Sequence, residues 1–267
     1  ITTCRYIEIY CTNYDINYML VYENENLIEV LIYGNIGNTS TCFNSLAEID
    51  QNIIIEFYKN IFEIYSSIQK IKIVASGKEY SFKKAILYSK ANDNILNLPS
   101  TIEEYYLELG YHTRKNIKNR KVRLSKDFST VNFVTKIGVE IEEIMIDKII
   151  QLNWERMKQK AIISRIDKNY KTNIYKYSQH YGCVSYLEID GEIVAGCIST
   201  ILNKGIFIHV IAYDHNFSKN NVGEICVFYL LQTSIEKEIS TIHFLWGENE
   251  LKKRFSDLTQ SYTSVQK

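Results

Sequence analysis

Proline is nearly absent from this chain: Pro99 is the single instance in 267 residues, and it marks the natural place to look for a domain boundary. Long apolar runs are absent too. None approaches the roughly 20 residues that a membrane-spanning helix needs, so no stable membrane insertion is expected. No charge of one sign dominates, because 31 basic residues face 31 acidic ones. A global field that would recruit DNA or a membrane surface is thereby excluded, and any anion site must be local. The six cysteines, at 4, 11, 42, 183, 197 and 226, include no C-x-x-C pair. That pattern argues against disulfide and metal roles and for buried free thiols in a reducing compartment. The start has no basic segment followed by an apolar one. A soluble, cytoplasmic protein is therefore expected, with further residues upstream because the chain opens on Ile1 and not Met. What is present is a hydrophobic fraction of 46%, ample for the core of one large domain or two ordinary ones.

Taken in order, Tyr18–Tyr22 and Leu27–Tyr33 read as a hairpin around a turn at 23–26, followed by a loop over 34–41. Apolar residues at Ile53, Ile54, Phe57, Ile61, Ile64, Tyr65 and Ile68 predict an amphipathic helix over 50–68. Lys70–Ala75 alternates like a strand, and Lys84–Tyr88 is a further candidate. After Pro99, Thr101 with two carboxylates behind it opens a helix expected to run to Asp127. Its apolar stripe, Ile102, Tyr106, Leu109, Thr113, Ile117 and Leu124, contains Arg120. An arginine in such a stripe is either half of a buried ion pair or faces an anionic ligand. A strand (131–137), a helix (139–160), a helix ending near Tyr181, and a hairpin turning at Asp190-Gly191 follow. Helices, then antiparallel strands, then a crossover predict a mixed α/β sheet flanked by helices.

The stretch from Gly205 to Phe255 carries the clearest chemistry. A buried strand (206–213), a polar loop (215–223), an apolar helix (224–238) and a second strand (241–246) form a βαβ unit. Such a turn leaves unpaired N–H groups and a positive dipole end at one spot, which suits a phosphate. Ser218, Lys219, Asn221, Val222 and Gly223 surround it, and Gly223 lacks the Cβ that would block a ligand. The same residues also admit a structural reading, with Asn221 and Glu224 as a capping pair whose carboxylate competes for the dipole end. His209, in a strand apolar on both faces, reads as a satisfied core histidine in preference to a catalytic one. Cys197 and Cys226 read as packing residues. The cations Lys252, Lys253 and Arg254 follow a strand end, where α/β sheets collect ligands, although solvation of a surface explains them equally.

These residues resemble a known family. Ser100–Ser256 is similar to the CelD-like or BioF2-like acetyltransferase domain, a branch of the GCN5-related N-acetyltransferase (GNAT) superfamily that also resembles the FemAB aminoacyltransferases. The family helix motif K-x-T-R-x-x-[LI]-[RK]-x-x-x-R-x-L is similar to the run from His112 to Leu124. Its strand-to-helix passage resembles Tyr213-Asp214-His215 through Asn221-Val222-Gly223. Its closing pattern, aromatic-x-x-Gly-acid-x-x-x-Lys-x-x-Phe, resembles Phe244 to Phe255.

The resemblance implies an acyl-CoA N-acyltransferase fold in tandem GNAT-like halves, a degenerate half over 1–99 and an acyltransferase domain over 100–267. It makes Ser218, Lys219, Asn221, Val222 and Gly223 the pyrophosphate cradle of acetyl-CoA or another acyl-CoA. Lys252 is assigned to stabilising carbonyl or phosphate oxygen, Glu248 to the base, and Arg120, Arg156 and Asp214 to an amine acceptor on a sugar, peptide or envelope precursor. The chain departs from the family in two places. Leu152-Asn153-Trp154-Glu155-Arg156 has an amide, which does not titrate, where the family pattern L-H-x-x-R has histidine, and the superfamily loop Q/R-x-x-G-x-G/A is absent. Two other readings keep the fold: a FemAB-like transferase using aminoacyl-tRNA, whose usual helical arm has no counterpart here, and an inactive interaction module.

Overall fold

The computed structural model describes residues 2–80, 86–247 and 250–267. The chain forms two compact units, Ile1–Asp93 with Thr259–Lys267, and Asn94–Leu258. The sequence places a boundary at Pro99; the C-terminal segment Thr259–Lys267 groups with the first unit. The reason is strand pairing. Strand β11 (Leu258–Gln266) runs antiparallel to β4 (Lys70–Ser76), and Val265 enters the same core as Ile71 and Ile73.

In the first unit, helix α1 (Cys4–Tyr10) precedes β1 (Asp15–Glu23), β2 (Asn26–Ile36), β3 (Thr39–Cys42), α2 (Gln51–Ile64) and β4, and the sheet order is β1-β2-β3-β4-β11. The β1–β2 hairpin turns at Asn24 and Glu25, both at positive φ (48° and 67°), which matches the right-handed twist of the strands. The segment 34–41, expected as a loop, is largely strand: β2 continues to Ile36 and pairs with β3. Helix α2 starts where the Asp50 carboxylate accepts a hydrogen bond from Asn52 N–H at 2.8 Å, and it buries Ile54, Phe57, Tyr58 and Ile61 on one stripe. Strand β5 (Ile86–Asn97) is longer than the strand expected over 84–88, whose first two residues lie outside the described ones.

The second unit runs α3 (Ile102–Glu108), α4 (Tyr111–Asp127), β6 (Val131–Ile137), α5 (Glu143–Gln159), α6 (Lys168–Tyr181), β7 (Gly182–Ile189), β8 (Glu192–Leu202), β9 (Gly205–Tyr213), α7 (Val222–Glu236), β10 (Thr241–His243) and α8 (Glu250–Phe255). Its sheet order is the end of β5, then β10-β9-β8-β7-β6. The mixed α/β class expected from the sequence is the one observed. The long helix expected over 101–127 is two helices, because Leu109 and Gly110 adopt extended backbone between them. The Thr101 capping box, with Thr101 and Glu104 exchanging hydrogen bonds, fixes the start of the first.

Two features of β9 set the geometry around the start of α7. Strands β9 and β10 are parallel, joined by α7 as the crossover, and pair only over Gly205–Phe207 and Thr241–His243. Strand β9 then continues to Tyr213 while β10 stops. Second, β9 carries a bulge: Ile208 pairs with Ser199 and Val210 with Ile198, leaving His209 as the extra residue. The bulge swaps the faces of the strand. Before it, Ile206 and Ile208 pack with α7 and the α4 residues Ile117 and Leu124. After it, Val210 and Ala212 pack with Met145, Ile146 and Ile149 of α5. Among the described residues no helix is long and apolar enough to cross a membrane.

Candidate functional site

Helix α7 is buried almost throughout, its apolar residues from Val222 to Ile235 filling the core under β7–β9. At roughly 1.5–3 kcal/mol for each large apolar side chain buried, this packing holds the helix start rigidly. The chain reaches it through a short 3-10 turn, His215–Asn220, tied to α4 by Asn220 Nδ2 donating to Asp127 Oδ2 at 3.1 Å. Asn221 then takes a left-handed conformation (φ 51°) and starts the helix with no side-chain hydrogen bond to its first turn. Glu224 N–H and Ile225 N–H bond to Asn221 O. The amides of Val222 and Gly223 have no hydrogen-bond partner among the described residues. They stand at the positive end of a 15-residue helix, the condition for an anion site.

A cavity of about 300 Å³ opens there, lined by Arg120, Tyr213, Ser218, Asn221, Val222, Gly223, Glu224, Glu250, Leu251 and Arg254. Four of the five residues assigned to a phosphate cradle, Ser218, Asn221, Val222 and Gly223, thus meet in one place with Arg120. Lys219 is exposed beside it and does not line the cavity.

Glu224 occupies the centre of the charge pattern. Its carboxylate is buried, with Arg120 Nη1 at 2.5 Å from Oε1 and Arg254 Nη1 at 2.6 Å from Oε2. The Arg254 contact is an aligned hydrogen bond, whereas the Arg120 contact is an ion contact without hydrogen-bond alignment. Arg120 therefore takes the ion-pair alternative of the two readings, while it also lines the cavity.

At Gly223 a Cβ would lie 2.7 Å from Tyr213 Cδ1, so the missing side chain makes room for a tyrosine ring.

The remaining assignments are dispersed. Lys252, the favoured catalytic residue, is buried, and its Nζ donates to Phe244 O, Leu245 O and Trp246 O at 2.6, 3.2 and 2.7 Å. An ammonium has three donors, enough for one bond to each of these carbonyls. The lysine staples the loop after β10. Asp214 caps the 3-10 turn by accepting from Asn216 N–H at 2.8 Å. It lines a different cavity of about 360 Å³, with Lys148, Glu155 and Phe217. The Arg156 guanidinium lies over the Tyr213 ring at 5.5 Å from its centroid, a cation–π contact that pins the tyrosine against Gly223. Asn153 accepts from Ser164 Oγ at 3.2 Å. Glu248 lies outside the described residues.

Arg254 and Tyr213 line the cavity, although the sequence alone assigned neither a place in the site. Arg254 stood in the recognised basic run. In the one-and-a-half turns of α8, residues three apart share a face. Lys252 and Phe255 point inward, while Leu251 and Arg254 line the cavity. His209, expected in the core, is exposed, because the bulge turns it out of both cores.

Among the described residues no group of three or more His, Cys, Asp or Glu side chains could hold a metal ion. The sequence profile of the acetyltransferase (GNAT) domain matches residues 112–253. No curated protein matches the chain. The crystal structure of FemX superposes with a TM-score of 0.68 at 10% identity, covering 97% of this chain and 90% of that one. L-PGS from Bacillus licheniformis does so with a TM-score of 0.58 at 12% identity, covering 93% and 83%. A tandem GNAT protein from the clavulanic acid biosynthesis pathway gives 0.52 at 8% identity, covering 96% and 83%. At such identities the likeness is one of fold, and the fold is that of tandem GNAT-like halves.

Proposed function

Because this chain belongs to the acetyltransferase (GNAT) domain family, we propose that it is an N-acyltransferase whose donor is an acyl-CoA, acetyl-CoA first, and whose acceptor is an amine of a sugar, peptide or envelope precursor. Acyl transfer is the chemistry of the family; the identities of donor and acceptor are the proposal. The observation that carries the donor is the start of α7, where two unpartnered amides, the Ser218 hydroxyl and the Arg120 and Arg254 guanidiniums converge on one cavity. Those groups would hold a pyrophosphate. The exposed Lys219 would add long-range attraction, screened by salt. Glu224 tempers the site by neutralising part of the arginine charge, so most of the affinity falls to the amides and the helix dipole. The unpaired edge of β9 beyond Phe207 offers backbone groups to the amides of a pantetheine arm. An acyl-CoA supplies an activated thioester carbonyl; the protein has to orient it, exclude water and take a proton from the amine.

With this donor, Lys252 acts by shaping the loop beside the split between β9 and β10. Arg156 holds Tyr213, and through it the packing of Gly223. The first unit stands as the degenerate half of the tandem.

Calorimetric titration with acetyl-CoA, beside S-acetylpantetheine, which lacks the phosphates, tests the donor. Acetyl-CoA is expected to bind more tightly by at least about tenfold, or ~1.4 kcal/mol. Equal affinity for the two, or none for acetyl-CoA, overturns the assignment.

A further inference from the structure

His209 stands apart from the strand that carries it. Ile206, Ile208, Val210 and Ala212 are buried, while His209, the bulge residue between them, is exposed. The ring is nevertheless anchored: its Nε2 lies 2.7 Å from Oγ1 of Thr200, a residue only 2% exposed. Phe207, two residues earlier, is the last residue of β9 paired to β10, and its ring stacks on that of its register partner His243, centroids 4.4 Å apart. His209 is thus the second residue beyond the point where the two strands part. A bulge at such a place re-aims a side chain, and here it aims an imidazole.

We propose that His209 is the general base of the transfer, accepting the proton that the attacking amine gives up; the role rests on an acyl-CoA being the donor. Distance supports it. From Tyr213, next to the start of α7, back to His209 is four strand residues, or roughly 13 Å, a span that a pantetheine arm of about a dozen bonds reaches. A donor whose phosphates sit on the α7 amides therefore brings its thioester to the imidazole. Where Nε2–H donates to Thr200 Oγ1 on β8, Nδ1 is the ring nitrogen that keeps a lone pair. As the amine nitrogen forms its bond to the carbonyl carbon, the C–S bond breaks and the nitrogen proton passes to Nδ1. The thiolate leaves and is protonated by the imidazolium, which returns the ring to its neutral form. Desolvation by the surrounding protein disfavours the imidazolium and lowers the histidine from its ordinary value to about 4. The base form is therefore the resting one.

Bromoacetyl-CoA tests the geometry without an acceptor in hand, since a nucleophile beside the thioester displaces its bromide. Mass spectrometry of the full chain is expected to find the adduct on His209, blocked by excess CoA and lost in His209→Gln. A CoA-protected adduct on another residue, or no adduct where acetyl-CoA binds, overturns the proposal while leaving the donor assignment intact. Failure of acetyl-CoA to bind sinks both. With an amine that the wild type acetylates, His209→Gln is expected to lower kcat by about 10²–10⁴-fold with acetyl-CoA affinity unchanged. Added imidazole is expected to restore part of the rate to His209→Ala. Undiminished kcat in His209→Gln also overturns the proposal.

Discussion

Gly223 and Tyr213 occupy one another's space: the ring carbon Cδ1 of Tyr213 lies 2.7 Å from where a Cβ on residue 223 would stand. The ring cannot step aside cheaply, because Arg156 lies over it. Gly223→Ala is expected to cost about 1–3 kcal/mol, the usual penalty for overpacking, measured by urea unfolding. In Tyr213→Ala the same alanine should cost far less. Equal losses in both backgrounds would mean that the tyrosine is not what requires the glycine.

Glu224 sets the charge of the cavity. In Glu224→Gln both arginines lose their counter-ion at the positive end of α7, so acetyl-CoA should bind more tightly while the fold weakens. The loss is expected near 1–3 kcal/mol, below that of a fully buried pair broken on one side, because Arg254 keeps 40% side-chain exposure. Weaker binding with unchanged stability would contradict the arrangement.

For Lys252, a structural staple and a catalytic cation predict different losses. Lys252→Met removes a charged donor from three carbonyls. It is expected to lower stability by about 2–4 kcal/mol, from charge-assisted hydrogen bonds worth roughly 1.5–3 kcal/mol each and partly replaced by water. A variant as stable as wild type but with collapsed kcat would return the lysine to catalysis.

Buried thiols make stability depend on alkaline pH. Burial raises the Cys42 thiol from 9.0 to about 12 and the Cys183 thiol from 9.0 to about 11. The folded-state values exceed the unfolded ones, so the stabilisation is complete below pH 9 and declines as pH rises from there through the folded values. Urea midpoints are expected to fall between neutral pH and pH ~10, and less in Cys42→Ala or Cys183→Ala. A thiol reagent on the folded chain should modify Cys4, the exposed cysteine, far faster than the five buried ones.

By itself the sequence determined what depends on neighbours along the chain. The turns at Asn24-Glu25 and Asp190-Gly191, the Thr101 cap, the alternation of β4 and the βαβ unit from Gly205 onward are local chemistry, and each stands where its residues imply. That Ser218, Asn221, Val222 and Gly223 meet at the start of α7 was legible for the same reason, since one turn supplies them. Tertiary structure decided which way the charged groups face. Arg120 was visible as an arginine in an apolar stripe, but its partner Glu224 is far away in sequence and was met only in space. Lys252 and Arg254 differ by two positions in one basic run; the direction in which α8 docks sends the first into the backbone and the second into the cavity. The bulge that exposes His209 exists only as a mismatch of register between β8 and β9, and neither strand read alone contains it.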